Sequence, residues 1–93
     1  MFIAAIRLEL SIPDAGSLKA KRQALRSLMD KVRVRFGAAV AEVGDQDLWQ
    51  RAQVGIALVS GEEGHVRDMA AKVVGFVESH WEGEVCAIEV EVL

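Results

Sequence analysis

Apolar and polar positions alternate over residues 1–12. Phe2, Ala4, Ile6, Leu8, Leu10 and Ile12 share one phase, and Arg7, Glu9 and Ser11 take the other. A period of two predicts a strand with one face on a core. Pro13 lacks the amide donor that a ladder needs and ends the strand, and Asp14-Ala15-Gly16 reads as a turn. The period then changes. Leu18, Leu25, Leu28, Met29, Val32 and Phe36 recur at helical spacing and form one stripe over about five turns. Ser17 is a good N-cap for that helix. Gly37 suits the left-handed position that closes one.

A second, similar unit follows. Residues 38–43 predict a weaker strand, poor in bulky side chains and therefore placed at a sheet edge, and residues 44–50 form a polar connection. Val54, Ile56 and Leu58 alternate with Gly55, Ala57 and Val59, so both phases are apolar, as in a central strand or one whose outer face is covered. Ser60-Gly61-Glu62-Glu63 reads as a capping box, and Val66, Met69, Val73, Phe76 and Val77 supply the second helical stripe. After a turn at residues 81–84, Cys86, Ile88, Val90 and Val92 form the inner phase of a last strand, with Glu89 and Glu91 outside. Strand, helix, strand, strand, helix, strand with right-handed crossovers predicts an α+β, ferredoxin-like βαββαβ sandwich. Two helices would cover one face of a four-stranded antiparallel sheet.

Composition narrows the class. The chain has 93 residues, 52% of them hydrophobic and 27% charged, which fits one ferredoxin-like domain over residues 1–93 and excludes disorder. Apolar runs are too short for a membrane span, which needs about 20 such residues, and no secretory leader is expected. Cys86 is the only cysteine, so no internal disulfide forms, and the expected compartment is the cytoplasm. The net charge of −3 hides an asymmetry: residues 17–36 carry seven basic side chains against Asp30 alone, giving +6, and the remainder carries −9. A basic face on an acidic protein is compatible with a polyanionic partner.

Several segments resemble one family. They are Leu8-Glu9-Leu10, Ser17-Leu18-Lys19-Ala20-Lys21-Arg22, and above all Ala41-Glu42-Val43 with Asp47-Leu48-Trp49-Gln50-Arg51-Ala52. Together they resemble the YlxP-like family of small bacterial proteins, classed as a domain of unknown function, and the similarity covers nearly the whole chain. The resemblance implies a ferredoxin-like fold. From the frequent placement of such genes among translation genes, it also implies a link to ribosomes or RNA. It brings no catalytic residue and no cofactor.

The first helix is the leading candidate site. At 100° per residue, Lys19, Arg22, Arg26 and Arg33 fall within about 60° of arc beside the apolar stripe, along a ridge of about 20 Å. Lys19, Lys21 and Arg22 occupy the first turn, where the helix dipole disfavours cations by about 0.3–1 kcal/mol each. An anion at Ser17-Leu18-Lys19 would meet free backbone amides and these cations together. The alternative is that the cations are solvated or paired with Glu62, Glu63, Asp68 and Glu78 of the second helix, which would contribute only about 0–1 kcal/mol per pair.

A second candidate is the loop with Asp47, Leu48, Trp49, Gln50 and Arg51. Its aromatic plane, amide and charged groups could stack on and hydrogen-bond a splayed base. Alternatively, Trp49 and Leu48 plug the end of the sheet while Arg51 and Asp47 brace the loop, the use expected of an isolated tryptophan. A third use is self-association, with the loop and outer sheet face as its surface. The outer face itself lacks the stacking aromatics of RNA-recognition domains, having Arg7, Glu9, Gly55 and Ala57 on its central strands. Its small residues suit packing between subunits of a homo-oligomer.

Enzymatic constellations are weak. His65 and His80 are fifteen residues apart, without ligand partners at i+3 or i+4. Cys86 falls on an apolar phase and is expected to be buried. Glu62-Glu63 is better read as capping. The first turn lacks the phosphate cradle of acylphosphatases, and no Cys-x-x-Cys is present for copper. The sequence thus points to a noncatalytic module without cofactor that meets RNA or a ribosomal surface through Ser17, Lys19, Lys21, Arg22, Arg26 and Arg33. A homo-oligomeric interaction domain and a small-molecule sensor are the other readings.

Overall fold

The computed structural model describes residues 1–12 and 15–93; Pro13 and Asp14, read above as a strand stop and part of a turn, lie outside the described residues. The elements are β1 (Phe2–Ser11), α1 (Leu18–Phe36), β2 (Ala39–Gly44), β3 (Arg51–Ser60), α2 (Glu63–His80) and β4 (Glu84–Val92). The strands form one antiparallel sheet in the order β2-β3-β1-β4, which is the ferredoxin-like arrangement expected from the element order. β2 is indeed an edge strand and β3 a central one. Among the described residues, no helix is long and apolar enough to cross a membrane.

The alternation along β1 and β3 becomes the core. Ala4, Ile6, Leu8 and Leu10 lie opposite Leu58, Ile56, Val54 and Ala52, and all eight are buried. Leu25, Leu28 and Val32 of α1 and Val66, Ala70, Val73 and Val77 of α2 close over them. Each fully buried Leu or Val contributes about 1.5–3 kcal/mol relative to exposure. Both ends of α1 form as expected. Ser17 Oγ accepts from the Ala20 amide at 3.1 Å, and Gly37, at φ 61°, donates its amide to Arg33 O at 2.9 Å.

Three expectations need correction. The capping box does not form: the N-cap of α2 is Glu62, without a side-chain bond, and Ser60 Oγ instead accepts from the Glu62 amide at 3.1 Å. A Ser60 cap would require the helix to start two residues earlier. The connection between β2 and β3 is one residue shorter at its near end, because Gly44 still belongs to β2 and pairs with Gln53. Cys86 is exposed, not buried. Glu9 and Leu10 oppose Ala87 and Val85, so Cys86 is the extra residue of a β-bulge. A bulge exchanges the two faces on either side of it: Val85 turns to the core, and the Cys86 thiol meets Arg51 Nη1 at 3.1 Å.

Trp81 closes one end of the sheet. It caps α2 through its amide to Val77 O at 2.8 Å, is 7% exposed, and donates its indole N–H to Ser11 O at 3.1 Å. Gly83 permits this approach, since a Cβ there would lie 1.8 Å from Ser11 O.

Candidate functional site

The apolar stripe of α1 contains a cation. Lys21 lies in helical phase with Leu18, Leu25, Leu28 and Val32, and its side chain is 1% exposed. Its ammonium sits 2.9 Å from Glu42 Oε2, itself on the core-facing phase of β2 beside Val40, and also donates to Asp45 O. Lys21 is therefore not available to an outside anion. The reason was visible in the helical period, which puts residue 21 in the middle of the stripe, and Glu42 on the inner phase of its strand was the matching signal.

Arg33 is also engaged within the molecule. Nη1 bonds Asp30 Oδ1 at 2.8 Å and Nη2 donates to Val40 O at 2.7 Å, fastening α1 to β2. Ser17 Oγ is used as the cap. Lys19, Arg22 and Arg26 remain: all three are exposed, and among the described residues none makes an ion pair. Among the described residues the alternative pairing with α2 is not seen, and Glu63 pairs with Arg67 of its own helix at 3.6 Å. Arg22, Arg26 and Arg33 border a shallow groove of about 310 Å³ between α1 and β2, with Leu25 and Met29 along it and Asp30 and Glu42 at its margin.

The second candidate segment lies at the same end of the molecule as the start of α1. Gln50 O accepts from the Ile12 amide at 2.9 Å, and Gln50 Nε2 reaches Ala15 O at 3.5 Å, tying the loop to the connection that leads into α1. Asp45 holds a left-handed conformation, φ 58°, accepts from the Leu48 amide at 3.0 Å, and is the residue whose carbonyl Lys21 holds. Its carboxylate accepts from Gln53 Nε2 at 3.3 Å. The loop is thus pinned to the first turns of the basic helix by a buried ammonium.

Leu48 and Trp49 project from this loop, 50% and 53% exposed. Trp49 therefore does not plug the sheet, as expected of an isolated tryptophan; Trp81 does. Asp47 is exposed and does not pair with Arg51, whose guanidinium goes to Cys86. The histidines have local partners: His65 Nδ1 lies 3.1 Å from Ser60 Oγ, and His80 stacks on Phe76 at 4.0 Å. Among the described residues, no group of three His, Cys, Asp or Glu is placed to hold a metal ion. The arrangement brings exposed cations and an exposed indole to one end of the molecule.

A family model described as "Protein of unknown function (DUF503)" matches residues 3–90. The chain belongs to the DUF503 family. Within it, the chain is 40% identical over 71 residues to the uncharacterized protein YlxP of Bacillus subtilis (strain 168), covering 76% of this chain and 77% of that protein. Among solved structures it is similar to the de novo designed protein Ferredog-Diesel, with a TM-score of 0.46, 15% identity, and coverage of 96% of this chain and 83% of that one.

Proposed function

We propose that this DUF503 protein is a noncatalytic binding module for single-stranded RNA, free or displayed on a ribosomal surface. Lys19, Arg22 and Arg26 meet phosphates and Trp49 stacks a base, with Gln50 and Arg51 at the border of the contact. The observation that carries the reading is the half-exposed Trp49 ring, on a loop fastened to the start of the helix that bears Lys19, Arg22 and Arg26, none of them in an ion pair among the described residues. Phosphate contacts give affinity, and stacking on an aromatic side chain gives a sequence-tolerant hold on bases.

The test is fluorescence anisotropy with a labelled single-stranded RNA of about ten nucleotides, within the site sizes such modules use. Three phosphate contacts at about 0.7 each give a log–log salt slope of about −2. Lys19→Glu with Arg22→Glu and Arg26→Glu abolishes binding, and Trp49→Ala weakens it by about 1–3 kcal/mol. Binding insensitive to salt, or an unchanged triple variant, defeats the proposal.

A second reading rests on the outer sheet face, where Val43 and Val59 are 52% and 61% exposed over a floor of Ala39, Ala41, Gly55 and Ala57. It makes the chain a self-associating interaction domain. Val59→Asp then converts a dimer to monomer in sedimentation, and RNA does not compete.

A further inference from the structure

The two edges of the sheet are treated differently. Along β2, side chains occupy exposed carbonyls: Arg33 Nη2 donates to Val40 O at 2.7 Å and Gln46 Nε2 to Glu42 O at 3.3 Å. Along β4 the phase is set at its end, where Ile3 and Leu93 exchange reciprocal bonds of 2.9 and 2.8 Å. Alternation of the antiparallel ladder then turns the N–H and C=O of Val92, Val90 and Ile88 away from β1. Among the described residues, no side chain covers them.

The side chains of the same residues are also unfinished. Ile88 and Val90 oppose Leu8 and Ile6 on the core-facing side, yet are 39% and 48% exposed, against 0% and 2% for their neighbours. The cause is α2, which presents Ala70, Ala71, Val74 and Gly75 there and leaves a mainly apolar groove of about 400 Å³ beside the strand, lined also by Arg67 and Glu78. On the other side of β4 stand Glu89 and Glu91; Arg7 of β1 is the residue directly opposite Glu89, and among the described residues neither carboxylate makes an ion pair. Open backbone, an apolar groove on one face and carboxylates on the other together specify a complementary strand.

Two central registers of a second copy fail that specification. Core-facing sides must match, so only registers that keep the same phase count. An antiparallel pair of β4 strands centred on Val90 places Glu89 opposite Glu91 twice, and one centred on Glu89 places the two Glu89 carboxylates together. Like charges directly opposite are destabilising. We propose that the β4 edge is the docking site for an extended segment of a partner protein in which apolar residues alternate with lysine or arginine. The apolar residues enter the groove beside Ile88 and Val90, the cations face Glu89 and Glu91, and backbone bonds to Ile88, Val90 and Val92 extend the sheet by one strand. The proposal stands independently of RNA binding, which uses α1 and the loop before β3.

The experiment titrates the full chain with an end-blocked nonapeptide of alternating valine and lysine, followed by amide hydrogen exchange and calorimetry. Matching valine–glutamate and serine–lysine peptides serve as controls. The valine–lysine peptide slows exchange at Ile88, Val90 and Val92 at least tenfold, and each control binds at least tenfold more weakly. Glu89→Lys with Glu91→Lys inverts the preference between the lysine and glutamate peptides. Val90→Pro removes an outward amide that bonds no neighbour in the sheet, and lowers affinity at least tenfold. Equal binding of the serine–lysine peptide, protection located elsewhere, no binding at millimolar peptide, or a peptide-free dimer that already protects these amides overturns the proposal.

Discussion

Replacing Lys21 with Met tests whether the buried ammonium holds the candidate site together. Methionine has similar length and fits an apolar helix stripe, so the packing change is small. What is lost is the counter-charge 2.9 Å from Glu42, whose side chain is only 19% exposed, and the donor to Asp45 O. Removing one partner of a buried pair costs about 3–5 kcal/mol. The residual exposure of Glu42 places this pair near the lower figure, about 3 kcal/mol. A chain of this size has a total stability of about 5–14 kcal/mol, so the variant still folds. With a urea m-value of about 1–1.5 kcal/mol/M, the midpoint of a fluorescence-monitored melt falls by about 2–3 M. Lys21→Met with Glu42→Leu removes both charges and restores stability to within about 1 kcal/mol of the parent, because apolar replacement of a buried pair is often neutral. RNA affinity stays reduced in the double variant, since nothing holds Asp45 O to α1. A single Lys21→Met that costs under about 1 kcal/mol refutes the reasoning, because the ammonium would then be hydrated in solution.

Gly83→Ala brings a methyl group 1.8 Å from Ser11 O and forces the Trp81 seal apart. It lowers stability by about 1–3 kcal/mol, seen as a calorimetric fall of about 4–8 °C per kcal/mol. Lys19→Glu reverses a cation in the first turn of α1 and raises stability by about 0.3–1 kcal/mol at low salt; it should do so while weakening RNA binding, which separates folding from function. Cys86, exposed by the bulge, reacts with a thiol reagent in the native protein nearly as completely as in urea, and a protected thiol contradicts the bulge assignment.

The repeated strand–helix–strand order was legible because facing is a local property. The period of two in residues 2–10 and the stripe through Leu25, Leu28 and Val32 each state which side is dry, and Ser17 and Gly37 mark the ends of α1 by their own backbone and side-chain chemistry. Lys21 was legible in the same way, through its phase, but a charge count grouped it with its exposed neighbours Lys19 and Arg22. The exposure of Trp49 was not legible. The sequence holds two tryptophans, and only the fold decides that Trp81 reaches Ser11 O, seventy residues away, and fills the sheet end.

Sequence alone determined the element order, the fold class, the basic character of the first helix and most of the core. Tertiary structure decided which cations are spent inside the molecule, that the loop bearing Trp49 adjoins the start of α1, that Cys86 leaves the core phase, and that one sheet edge is capped while the other stands open. The division has a physical cause. Periodicity and capping act over a few residues, whereas ion pairs, bulges and edges depend on which distant segment arrives alongside, and no short stretch of chain carries that information.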